Sequence, residues 1–121
     1  MESQAPPHEA QRGKRALDNL EEELFKQETG GQPDRNKVDE AIRDINNILR
    51  HNSPPAVARA ISDMSKYGGI RLRALENAAN SGKIVLRGSS DVSFKWFLDA
   101  VRGQASGSPI RGGSVEIHIE Y

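Results

Sequence analysis

Ser114-Val-Glu-Ile-His-Ile-Glu-Tyr121 closes the chain, and it alternates. Val115, Ile117, Ile119 and Tyr121 take every second place; Ser114, Glu116, His118 and Glu120 fill the places between. A period of two puts the apolar set on one face of a β-strand and the polar set on the other. Almost everything upstream carries a helical period, so this strand must pair with another strand of the chain or with one of a partner. The nearest candidate is Lys83-Ile-Val-Leu-Arg87, which is rich in β-branched residues. Between the two lie Gly88-Ser-Ser-Asp91, a helix starting near Val92, and a loop over 103–113 with Gly103, Gly107, Gly112, Gly113 and Pro109. The helix carries Phe94, Phe97, Leu98 and Val101 on one face, with Trp96 off that stripe. About 26 residues separate the strands, enough for a right-handed crossover that makes them parallel. A loop that turns back makes them antiparallel instead. Two strands alone form a marginal sheet, so the unit needs a third strand, a cover of helices or a second subunit.

Upstream, the spacing predicts a helical hairpin over 13–52. Its first helix runs from about Lys14 to Gln27, with Leu17, Leu20 and Leu24 at i, i+3 and i+7 and with Ala16 and Phe25 widening the stripe. Gly30-Gly31 end it, and Asp34 caps the second helix. In that second helix Val38, Ala41, Ile42, Ile45, Ile48 and Leu49 recur at three and four residues. Ser53-Pro54-Pro55 starts a third helix with Val57, Ala60, Ile61, Met64 and Tyr67 on one stripe. Gly68-Gly69 stop it. A short fourth helix follows over 70–79, although Ile70 and Leu72 alternate with Arg71 and Arg73 and also suit a strand. The first dozen residues hold Pro6 and Pro7 and no large apolar side chain, which reads as a disordered tail over 1–12. The expected class is α+β, a single domain over 13–121: hairpin 13–52, helices 53–82, and strand–helix–strand 83–121.

The chain has 121 residues, 36% of them apolar and 28% charged, with Lys plus Arg equal to Asp plus Glu at 17 each. The balance is uneven: residues 1–50 carry 8 basic and 11 acidic side chains, and residues 51–111 carry 9 and 4. A basic stretch attracts phosphate or an acidic partner. There is no cysteine, which removes disulfides, thiolate chemistry and Cys-based zinc sites. No apolar run approaches the ~20 residues that span a bilayer, and Met1-Glu-Ser-Gln-Ala-Pro-Pro-His8 lacks the basic and apolar regions of a secretory signal. A soluble, cytoplasmic protein is expected.

Few residues suggest chemistry. Glu116, His118 and Glu120 line one strand face, and with Arg87 or Arg111 as a cation they offer the parts of a small nuclease or hydrolase. The plainer reading is a solvated face whose charges blunt a sheet edge. Gly88-Ser-Ser-Asp91 precedes a helix and suits a phosphate, but capping by Ser90 or Asp91 explains it as well. Arg71, Arg73, Arg87, Lys95 and Arg111 are candidate nucleic-acid contacts, and a nucleic-acid-binding protein that uses the basic region 51–111 is the alternative function. No cofactor loop, metal-ligand cluster or nucleophile beside a base occurs, so no catalytic residue, cofactor or metal is assigned. The expected function is a non-enzymatic protein–protein interaction module: an adaptor, regulator or inhibitor that self-associates as a homodimer. Its interaction surface is expected from the hairpin stripes (Leu17, Leu20, Leu24, Ile42, Ile45, Leu49) and from the terminal strand (Val115, Ile117, Ile119), which would extend a partner's sheet.

Overall fold

The computed structural model describes residues 7–65, 72–88, 93–103 and 115–120. The order of elements is α1 (Pro7–Glu28), α2 (Arg35–His51), α3 (Pro54–Ser65), α4 (Arg73–Asn80), β1 (Ile84–Gly88), α5 (Phe94–Val101) and β2 (Val115–Ile119). This is the expected α+β arrangement: helices first, then strand, helix, strand. No helix among the described residues is long and apolar enough to cross a membrane.

The long helix α1 is the hub. It packs on α2, α3 and α4, while α5 packs on α3 and α4, and the sheet rests on α2, α4 and α5. Leu17, Leu20, Leu24, Ile45, Leu49, Leu75, Phe97 and Leu98 form one continuous core with Val115 and Ile117. Phe25 departs from the expected stripe and is 53% exposed. It follows Leu24 by one residue, which turns it about 100° away from the packed face.

Helix α1 starts seven residues before the expected Lys14, so residues 7–12 are helical. Pro7 at the first helical position and Glu9 in the first turn suit a helix start, and neighbours hold it. Ala10 is buried, and the Glu9 carboxylate accepts a hydrogen bond from Asn52 Nδ2 at 2.6 Å, tying the start of α1 to the end of α2. Gly13 lets the helices approach: a Cβ there would lie 3.0 Å from Ile61 Cδ1. Residues 1–6 lie outside the described residues.

The α1–α2 turn is held by a chain of caps. Gly30, at φ +93°, ends α1 in the left-handed conformation that glycine tolerates best. Asp34 caps α2 as expected, its carboxylate accepting from the Asn36 and Lys37 N–H groups. Glu23, only 1% exposed, accepts the Asp34 N–H at 2.8 Å and pairs with Lys26 at 3.0 Å. The Asp34 N–H, then Lys26, hold the Glu23 carboxyl below its ordinary pKa. The stability it confers is therefore present above the unfolded carboxylate pKa and is lost as pH falls through the folded one. Glu23→Gln is expected to cost about 1–2 kcal/mol at neutral pH and to flatten the acid side of a plot of Tm against pH. An unaltered acid side would contradict this role.

Helix α4 begins at Arg73, so Arg73–Leu75 are helical and the strand alternative fails there; Ile70 and Arg71 lie outside the described residues. A carboxylate from another helix supplies its cap. Glu21 of α1 accepts from the Ala74 and Leu75 N–H groups at 3.1 and 3.0 Å. Burial pushes the Glu21 carboxyl up, against those two donors, which hold it down. Ser93, not Ser90 or Asp91, caps α5, its Oγ accepting from the Trp96 N–H at 3.0 Å.

The strands pair antiparallel, the second of the two arrangements that the sequence allows. The register is Ile84 with Ile119, Leu86 with Ile117 and Gly88 with Val115; between them Val85 faces His118 and Arg87 faces Glu116. Helices cover one face of the two described strands. Ile84, Val115 and Ile117 are buried beneath them, and Leu86 and Ile119 pack partly buried against the same core.

Candidate interaction surface

The hairpin stripes expected to meet a partner are spent inside the chain. Leu17, Leu20, Leu24, Ile45 and Leu49 are buried, as are Val115 and Ile117, while Ile42 and Ile119 are partly buried against the same core. The reason is geometric: α1 has three helical neighbours, and α2 fills its remaining flank with β2. These nine residues therefore make the core, not a free surface.

Among the described residues, the sheet keeps its outer face accessible. Cross-strand partners share a face in an antiparallel pair, so Val85, Arg87, Glu116 and His118 stand together on the side away from the helices. Arg87, Glu116 and His118 are exposed. His118 Nε2 lies 3.6 Å from Glu116 Oε2, with side chains 46% and 51% exposed. Thus Arg87, Glu116 and His118 of the residues weighed for hydrolysis do share one face, but nothing among the described residues walls them in. Exposed charges in water are screened and interact weakly, whereas acid–base catalysis draws its strength from groups held in a sheltered site. Among the described residues no group of three or more His, Asp or Glu is placed to hold a metal ion.

The three described basic candidates lie on three different elements. Arg73 opens α4, Arg87 lies on β1 and Lys95 lies in the first turn of α5, all exposed. Arg71 and Arg111 lie outside the described residues, as do Ser89 to Val92 of the glycine–serine turn. Two other cations of the basic half are engaged. Arg102 pairs with Glu76 and with Asp99, joining α4 to α5, and Lys83 Nζ donates to Gln27 Oε1. Lys83 also borders a shallow groove between α1 and α4, beside Leu24, Glu28 and Asn77.

The two edges of the sheet differ. In an antiparallel ladder, alternate residues turn their backbone N–H and C=O toward the neighbour and the rest turn outward. The Glu120 N–H donates to the Lys83 carbonyl at 2.9 Å, which sets the phase. Val85 and Arg87 face β2; Ile84, Leu86 and Gly88 turn outward from β1, and Val115, Ile117 and Ile119 turn outward from β2. On β2 that outward edge is occupied at its centre. The Ile117 N–H donates to Asn46 Oδ1 at 2.7 Å, and Asn46 Nδ2 donates to the Ile117 carbonyl at 3.2 Å. One amide side chain of α2 thus imitates a neighbouring strand. The expectation that the terminal strand offers its edge to a partner is corrected by this pair. On β1, no outward hydrogen bond occurs among the described residues.

Sequence reading missed Asn46, the buried carboxylate Glu23 and the half-buried carboxylate Glu21. Asn46 did leave a signal: a short amide with both a donor and an acceptor, next to Ile45 and four residues after Ile42 on the rim of the best-defined stripe. Comparison with known proteins adds no relative: no family model, no curated protein and no solved structure matches the chain.

Proposed function

We propose that this chain is a non-enzymatic protein–protein interaction module, a small cytoplasmic adaptor or regulator, that accepts an extended segment onto the outer edge of β1. The observation that carries the reading is the asymmetry of the two edges: Asn46 occupies the outward groups of Ile117 on β2, and nothing described occupies those of Leu86 on β1. An added strand draws affinity from main-chain hydrogen bonds and specificity from alternate side chains. A third strand also relieves the marginal stability of a two-stranded sheet. Self-association, where it occurs, would use this edge, since the apolar stripes lie in the core.

Amide hydrogen exchange with NMR detection tests the reading. The Leu86 N–H should exchange fast in the free chain, and the Val85 and Arg87 N–H groups slowly. A synthetic neutral strand, Ser-Val-Gln-Ile-Thr-Ile-Gln-Tyr, should protect Leu86 and shift the Ile84, Leu86 and Gly88 amides. A Leu86 N–H that is already protected in dilute protein, or one left untouched by saturating peptide, would overturn the proposal.

A further inference from the structure

We infer that the strand β1 accepts is an acidic one: an antiparallel segment that sets a carboxylate side chain opposite Arg87 and apolar side chains opposite Leu86 and Ile84. The inference rests on the proposed function and names the partner's chemistry.

The chain carries its own template. β2 already pairs with β1 in the pattern acid, apolar, any, apolar: Glu116 opposite Arg87, Ile117 opposite Leu86, His118 opposite Val85, Ile119 opposite Ile84. A strand on the other edge of β1 meets the same side chains in the same order, because each residue presents one side chain to both neighbours. Apolar residues on that strand would continue the inner face beside the partly buried Leu86, and the residue opposite Arg87 would stand on the outer face.

The phase of the ladder decides in favour of a carboxylate. Arg87 and Glu116 form a hydrogen-bonded pair, the wider of the two kinds, with Cα atoms about 5.5 Å apart. Arg87 forms no ion pair among the described residues. On the outer edge the same Arg87 would stand in a non-hydrogen-bonded pair, about 4.5 Å across, where side chains come closer. An acid there gains what Glu116 does not, and a lysine or arginine meets repulsion at the shortest spacing. A second copy of β1, paired about Leu86, would set Val85 opposite Arg87 and leave that charge without an acid.

The test uses the full chain and three fluorescent peptides, Ser-Val-Xaa-Ile-Thr-Ile-Gln-Tyr, with Glu, Gln or Lys at the third position. Affinity should fall in that order, about three- to fivefold per step at low salt, with the steps shrinking as salt rises. Arg87→Gln should level the series, and Arg87→Glu should invert it. Three equal affinities in the parent chain would overturn the inference while leaving strand acceptance intact. If no peptide protects the Leu86 N–H, the proposed function fails instead. A two-chain mass by light scattering, with Leu86 protected and peptide excluded, would identify a second copy as the occupant and would also overturn the inference.

Discussion

Asn46→Leu is expected to destabilise the fold by about 2–4 kcal/mol, because it orphans two backbone groups at once. Ile117 is buried, and both its N–H and its carbonyl turn away from β1 into the Asn46 amide. A buried donor or acceptor that loses its partner costs about 1–3 kcal/mol, and leucine, which shares only the branch at Cγ, supplies neither group. Urea titration should show a lower midpoint with an unchanged slope. Asn46→Asp separates the two bonds. Its ionised carboxylate still accepts from the Ile117 N–H but repels the carbonyl, whereas the protonated form can donate to it. The Asn46→Asp deficit should therefore shrink as pH falls, and the Asn46→Leu deficit should not. Equal pH profiles for the two variants would mean that the Ile117 carbonyl does not depend on this amide. Either variant should also raise the tendency to self-associate, since an uncovered strand edge templates pairing.

Phe97→Ala is expected to cost about 3–5 kcal/mol, the usual toll of emptying a buried aromatic site. Phe97 is fully buried on α5, and its ring lies 6.2 Å from that of Phe94 at an interplanar angle of 20°. The helix it anchors touches α3, α4 and β1, so the cavity would open where the helical half meets the sheet. Small domains hold about 5–15 kcal/mol in all, which makes this change a large share of the total. Phe25→Ala is the matching control. With Phe25 largely exposed, its effect should stay within about 0.5 kcal/mol. A comparable loss from both variants would mean that the burial difference between the two rings does not carry over to solution.

Features coded within one or two turns are legible in the sequence. The α2 stripe, the Asp34 and Ser53 caps and the face formed by Phe94, Phe97, Leu98 and Val101 all follow from spacing and capping chemistry, which act within one or two turns. Failures cluster where distant segments meet. Residues 7–12 carry no large apolar side chain, and their helix is held where Glu9 meets Asn52 and Ala10 is buried. Phe25 looked like a stripe residue because a wide stripe and a narrow one differ only in what packs alongside.

The candidate site divides in the same way. Alternation alone set Val115, Ile117 and Ile119 on one strand face with Glu116 and His118 on the other, and β-branched content marked Lys83–Arg87 as a second strand. Those statements depend on the period of a strand, which is a property of the backbone and needs no knowledge of the rest of the molecule. Strand direction, register and the identity of the open edge depended on tertiary structure. They were decided by where α2 lies against β2, because a backbone N–H is satisfied by whichever acceptor the fold brings near, and here that acceptor is an asparagine 71 residues away in sequence.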